Sequence, residues 1–206
     1  MSISDEFDYV GVIPARYHST RFPGKVLEPI DGLPMAAQVY KQAKGSRLQR
    51  LLIATDHPDV FKAMESLDIP VIMTSEACRT GTERVAEAAL SVEGEVFVNI
   101  QSDEPYIEPE IINLVIDQFN FDQAIEMVTV ASTNLTAEDW DDPDVVKVET
   151  AEDRTATTFF RTPSPRSERN RCAKHLGIYG FKKEFLIRFA RMDRTKNEIT
   201  LDLEQM

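Results

Sequence analysis

Residues 9–25 read YVGVIPARYHSTRFPGK. Tyr9–Ile13 predicts a buried strand. The residues after it carry Arg16, Arg21 and Lys25, with Pro23 and Gly24 to let the backbone turn tightly. A strand that runs straight into a cationic loop is how an open α/β sheet presents its ligand edge, because ligands bind beyond the carboxyl ends of the strands. The rest of the chain is acidic, so a cationic loop here marks a place built for a particular anion.

Outward from that stretch, short apolar runs alternate with amphipathic ones. Helices are predicted over Met35–Lys44, Pro58–Ser66, Thr82–Leu90 and Glu108–Phe119, the last with Ile111, Ile112, Val115 and Phe119 inward. Strands are predicted over Leu51–Ala54, Val71–Met73 and Glu95–Ile100. This alternation is the signature of a Rossmann-like, mostly parallel sheet with helices on both faces. The second half changes character. Met127–Ser132, Val145–Glu149, Thr155–Phe160 and Leu176–Phe181 predict strands with less helix between them, hence a mixed or antiparallel extension. Arg161–Lys174, rich in Arg, Ser and Pro, predicts a loop. Glu184–Arg191 and Glu198–Gln205 predict helices. No repeat or linker divides the 206 residues, so a single domain is expected.

Composition narrows the function. With 23 Lys+Arg against 35 Asp+Glu, the net charge is -12. That argues against nucleic acid and against an anionic membrane as partners, both of which call for basic surface. A local basic cluster still overrides net charge at short range. The start, MSISDEFD, lacks the basic and apolar regions of a signal peptide, and Cys78 and Cys172 form no CxxC or zinc pattern. A reduced, cytoplasmic protein is therefore expected.

Three segments fall beyond predicted strands: the opening loop, Arg79–Arg84 (RTGTER) and Gln101–Pro105 (QSDEP). Arg16, Arg21 and Lys25 could surround a polyphosphate, or could be a solvated basic loop paired with surface acids. It is not a Walker loop, because GxxxxGK[ST] is absent. Asp103 is expected at the end of a buried strand, where a carboxylate is costly unless paired or metal-bound. A hard oxygen ligand beside phosphates suits Mg2+; the competing reading is a helix cap or a pair with a local Arg.

The stretches VIPARYHSTRFPGK, ATDHPDV, RTGTERVAEA, VNIQSDEP, DPDVVKV, KHLGIYGF and LEQM occur in one order along nearly the whole chain. In this the sequence resembles the 3-deoxy-D-manno-octulosonate (Kdo) cytidylyltransferases, or CMP-Kdo synthetases. The resemblance implies a fold like that of the nucleotide-diphosphosugar transferases. It implies transfer of CMP from CTP to the anomeric hydroxyl of a 2-keto-3-deoxy sugar acid, with release of pyrophosphate, for lipopolysaccharide synthesis. It implies Mg2+ as cofactor and a homodimer, for which Leu176–Phe181, Phe185, Ile187 and Phe189 are the expected surface. By the same resemblance Arg16 and Lys25 bind phosphate, with Arg21 as a third contact. Thr80, Gly81 and Arg84 lie against the nucleotide, and Asp103 ligands Mg2+. Gln101, Arg161, His175, Tyr179, Glu204 and Gln205 line the sugar-acid pocket. On residue type alone, His175 and Tyr179 are equally core-edge residues, Arg161 a surface charge, and Glu204 and Gln205 exposed helix positions.

Three departures from the family pattern stand out. Ser102 replaces the usual Gly of QGDEP, and Phe160 replaces the usual Ser before Arg161. The sequence also stops at Met206, inside the LEQ helix, before a family segment that carries a second Asp. A truncated paralogue that binds nucleotide or dimerises without catalysis is therefore the alternative reading. A CMP synthetase for another acidic sugar, such as sialic acid, is the neighbouring one.

Overall fold

In the computed structural model, which describes residues 7–18, 22–164, 167–195 and 198, the elements follow the alternation read from the sequence. They are β1 (Tyr9–Ala15), β2 (Pro29–Ile30), β3 (Leu33–Pro34), α1 (Met35–Ala43), β4 (Arg50–Thr55), α2 (Pro58–Glu65), β5 (Val71–Met73) and α3 (Gly81–Ser91). The chain continues through β6 (Val96–Asn99), α4 (Pro109–Phe121), β7 (Met127–Ser132), α5 (Ala137–Asp141), β8 (Lys147–Thr150), β9 (Ala156–Phe160), β10 (Cys172–Lys182) and α6 (Lys183–Phe189). Two compact units result. The first is Met1–Val128 with Ile178–Met192, and the second is Thr129–Gly177 with Asp193–Met206.

The first unit is built on parallel strands in the order β5-β4-β1-β6, with the end of β10 antiparallel to β6. All seven residues of β1 are buried, as a central parallel strand covered on both faces requires. On one face Val85, Ala86, Ala88 and Ala89 of α3 pack on Val10, Val12, Leu52, Ala54 and Phe97. In α4, Ile112, Val115, Ile116 and Phe119 are buried, while Ile111, expected inward, is only half-buried. Ile116 takes the inward place. α4 lies so close to β10 that a Cβ at Gly180 would come within 2.4 Å of Val115 Cγ1 and 2.7 Å of Phe119 Cε2. Only glycine permits that approach.

The second unit contains an antiparallel pair, β8 and β9, and the start of β10 antiparallel to β8. Val148 and Phe159 are its buried centre, flanked by Val146 and Ala173. Two features differ from expectation. β10 starts at Cys172, so it absorbs the end of the segment expected as a loop; pairing of Cys172–Lys174 with β8 supplies backbone partners that local propensity does not reveal. The short helix α5 was also not expected. It is nucleated by a reciprocal cap in which Thr136 Oγ1 accepts from Asp139 N and Asp139 Oδ2 accepts from Thr136 N. The helix expected over Glu198–Gln205 lies, apart from Glu198, outside the described residues. No helix among the described residues is long and apolar enough to cross a membrane.

Candidate functional site

The register of the parallel strands brings three chain exits together. Ala15 lies beside Thr55 and Thr55 beside Met73, so Arg16, Asp56 and Thr74 leave the sheet side by side. The loop after β1 then folds back on itself. Gly24 N donates to Tyr17 O at 2.8 Å, and Gly24 adopts a left-handed φ of 76° that non-glycine residues reach only with strain. That turn delivers Lys25, whose ammonium lies 3.1 Å from Asp103 Oδ2. Arg16 is exposed, and its Nη1 reaches the carbonyl of Arg79 at 3.5 Å.

Asp103 does not end the buried strand, as its sequence context suggests. β6 stops at Asn99, and Asp103 stands in the turn beyond, with 54% of its side chain exposed. The costly-burial argument for a metal therefore falls away. What recommends Asp103 is its place opposite Lys25. Ser102, in the usual glycine position, shows no left-handed φ, so the turn accepts a side chain without backbone strain.

The second segment supplies the N-terminus of α3. Thr80 is its N-cap, accepting from Glu83 N at 3.1 Å. Glu83 in turn accepts from Arg79 N at 2.7 Å and binds the Arg79 guanidinium through Nε and Nη2. Burial alone would raise the Glu83 carboxyl, but these bonds outweigh it and hold it below its ordinary value. Thr80 and Gly81 are half-buried at this edge. Arg84 is not exposed there: its side chain is 1% exposed, bonded to Asp56 Oδ2 at 2.7 Å and to Thr74 Oγ1 at 2.6 Å. Asp56, His57 and Tyr17 were not singled out from the sequence. Yet Tyr17 N donates to Asp56 Oδ1 at 3.4 Å, and the Tyr17 ring stacks on His57 at 3.9 Å. The signal was available in ATDHPDV, where an Asp directly follows a buried strand.

The carboxyl edge of the first unit's sheet thus carries the Lys25–Asp103 pair, Arg16 in reach of the Arg79 carbonyl, and Thr80 and Gly81 at the start of α3, with Gln101 half-buried in the turn after β6. Tyr179 is placed differently: it is 2% exposed in the core and stacks on Phe181. In the second unit, Arg161 Nη1 reaches the carbonyls of Pro143 and Asp144 at 3.3 and 3.4 Å. Lys147, fully buried, donates to the carbonyls of Asp142 at 2.5 Å and Arg161 at 2.7 Å. Burial lowers its amine's pKa. In the same unit His175 has Nε2 2.9 Å from Thr129 Oγ1 and its ring edge-on to Phe159. Burial depresses its pKa to about 4. Phe160, the second departure, packs edge-on against Trp140. Arg21, Glu204 and Gln205 lie outside the described residues.

Among the described residues no group of three or more His, Cys, Asp or Glu could hold a metal by protein ligands alone. A single carboxylate beside a cationic loop instead fits a Mg2+ that completes its shell with phosphate oxygens and water.

Comparison with known proteins gives the family. A family model described as Cytidylyltransferase matches residues 10–206. The 3-deoxy-manno-octulosonate cytidylyltransferase of Geobacter metallireducens is 39% identical over 95% of this chain and 83% of its own length. The protein of the same name from Fusobacterium nucleatum is 39% identical over 96% of this chain and 82% of its own. The solved structure of CMP:2-keto-3-deoxy-manno-octonic acid synthetase complexed with CTP superposes with a TM-score of 0.89 and 34% identity, over 96% of this chain and 83% of that one. A 4-diphosphocytidyl-2C-methyl-D-erythritol synthase from Anaerococcus prevotii shares the fold alone, at a TM-score of 0.60 and 12% identity over 94% of this chain and 82% of that one. The match runs from β1 through the cationic loop and the turn after β6 to the end of the sequence, and the chain belongs to the cytidylyltransferase family.

Proposed function

We propose that this chain transfers CMP from CTP to the anomeric hydroxyl of 3-deoxy-manno-octulosonate, releasing pyrophosphate. The substrates come from the relatives named above; the observation in the chain itself that carries the reading is Lys25 facing Asp103 beside Arg16 at the sheet's carboxyl edge. A triphosphate brings about four negative charges into a chain that is already anionic, so binding needs concentrated local cations. Lys25 and Arg16 supply them, Arg16 by forked donors and Lys25 as a point charge.

In the reaction, the sugar-acid oxygen forms a bond to the α-phosphorus. The bond from that phosphorus to the α,β-bridging oxygen breaks, its electrons leave with pyrophosphate, and the hydroxyl proton passes to solvent. Such transfers depend on positioning and charge neutralisation rather than on a covalent intermediate. Arg16 and Lys25 hold the phosphates and offset the charge that builds on the leaving group. Thr80 and Gly81, at the N-terminus of α3, flank the nucleotide. Asp103 would hold Mg2+, which when bound would draw charge from the phosphate oxygens. Gln101 is assigned to the sugar acid on the family resemblance.

The proposal includes a cytoplasmic location, where CTP is made, and pairing with a second copy. Ile178, Tyr179 and Phe181 of the expected dimer surface are buried in the chain's own core, which leaves Phe185, Ile187 and Phe189, all half-buried, as apolar surface. Sedimentation showing only monomer at micromolar concentration would remove the pairing.

The deciding experiment is pyrophosphate release from CTP with a panel of sugar acids. Release with 3-deoxy-manno-octulosonate, and far less with sialic acid, is expected. Release only with a different acid would overturn the substrate, and CTP binding without release would leave a nucleotide-binding protein instead of an enzyme.

A further inference from the structure

Arg84 was expected on the nucleotide, yet its side chain is 1% exposed and bonded inside the first unit. Its two terminal nitrogens divide their work. Nη2 meets Asp56 Oδ2 at 2.7 Å; Nη1 meets Thr74 Oγ1 at 2.6 Å and Ser75 O at 3.4 Å. Thr74 Oγ1 passes the connection on to Thr55 O at 3.0 Å. The other oxygen of Asp56 accepts from Tyr17 N, and Tyr17 O accepts from Gly24 N, the residue before Lys25. One unbroken path therefore runs from α3, through Asp56, to both ends of the cationic loop.

We propose that Arg84 and Asp56 are positioning residues that fix the cationic loop relative to the N-terminus of α3, so that phosphate and base are gripped in one geometry. This rests on the cytidylyltransferase reading. A buried ion pair is weak support for stability as such, because the cost of stripping water from two charges cancels much of their attraction. A pair of hydrophobic residues would fill the space at no greater cost. What apolar residues cannot do is hold the Tyr17 amide and orient the loop that follows. Arg16 is exposed and Lys25 half-buried, so neither anchors the loop as the buried pair beneath it does.

The test is the double variant Asp56→Leu/Arg84→Met, which removes the pair without leaving one charge stranded. The readout is the KM for CTP, the KM for the sugar acid and kcat, with circular dichroism to verify folding. The expected result is a rise in KM for CTP of roughly 10–100-fold with the KM for the sugar acid unchanged, since misplacement of binding groups by about an ångström has effects of that order. A folded double variant with native KM for CTP overturns the positioning role. So does an equal loss toward both substrates. Should the variant fail to fold, amide exchange in the native chain decides. Tyr17 and Gly24 amides protected together with those of α3 support the tether, and freely exchanging Tyr17 overturns it. Native chain that neither binds CTP nor releases pyrophosphate would instead defeat the underlying functional reading, an outcome distinct from any of these.

Discussion

Lys25 Nζ and Asp103 Oδ2 lie 3.1 Å apart across the carboxyl edge of the sheet, with 40% and 54% of the two side chains exposed. Ion pairs this exposed contribute about 0–1 kcal/mol to stability. The contact is thus too weak to be retained for folding and weak enough to be exchanged. When a phosphate arrives, Lys25 can swap a carboxylate for a phosphate oxygen while Asp103 is released for a cation. An opposed pair of this kind keeps an otherwise unbalanced cluster of charge compensated until substrate binds.

Lys25→Ala should therefore separate activity from stability. The unfolding free energy should change by less than about 1 kcal/mol, while kcat/KM for CTP falls on the order of 100-fold, the scale of losing one charge-stabilising donor. Urea unfolding and pyrophosphate release on the same preparations give both numbers. Native kcat/KM in the variant would remove Lys25 from the phosphate site.

Asp103→Asn keeps the shape of the side chain and deletes its charge. The Mg2+ concentration giving half-maximal pyrophosphate release should rise at least about tenfold, because even partners that only support a metal ligand are worth 10–100-fold. Chelation by EDTA should stop turnover of the native chain, and added Mg2+ should restore it. If the Asn variant needs no more Mg2+ than the native chain, the metal sits elsewhere.

How much of this was legible in the sequence depended on whether a residue's role was local. The strand before the cationic loop, α2 after Pro58 and the apolar face of α3 follow from periodicity and caps, which are properties of neighbouring residues. The environment of Arg84 was not legible, since Asp56 is 28 residues away and meets it only because α3 packs against β4. Asp103 shows the same limit from the other side. Its strand stops at Asn99, and the intervening turn makes an exposed carboxylate of one expected to be buried. Tyr179 looked like a pocket residue beside His175, with which it shares a strand face, but from Ile178 to Phe181 β10 is covered on both faces and the Tyr179 ring packs in the core against Phe181.

Lys147 offers a test within the second unit. Its buried ammonium ties Asp142 O to Arg161 O, and hydrogen bonds from charged donors contribute about 1.5–3 kcal/mol each. Lys147→Met should cost about 2–4 kcal/mol in denaturant unfolding, less than the sum of the two bonds because the cost of burying the ammonium is recovered, and loosen the backbone at Arg161. Amide exchange near residues 142–145 should quicken. A change below about 0.5 kcal/mol, the range of ordinary surface substitutions, would show that water replaces both bonds without loss.

His175 makes stability depend on pH in a definite direction. Its ordinary value is 6.5, and burial beside Phe159 lowers it to about 4, so the fold prefers the neutral ring. In the unfolded chain the ring takes up a proton near pH 6.5; in the folded chain it resists until about pH 4. The unfolded state therefore binds more protons throughout that window, and stability must fall as pH drops through it. Above about pH 6.5 the contribution is constant. A tenfold difference in proton affinity between the two states is worth about 1.4 kcal/mol, so the total loss is roughly 3 kcal/mol by pH 4. Carboxylates also titrate in this range, and a variant is needed to isolate the imidazole. His175→Gln keeps a polar partner for Thr129 Oγ1 without a titrating ring. Urea unfolding of both chains at pH 7, 5.5 and 4.5 should give a steeper decline in the native protein, with the difference between them growing as pH falls. Parallel declines would mean that the His175 ring keeps its ordinary affinity for protons in the folded chain.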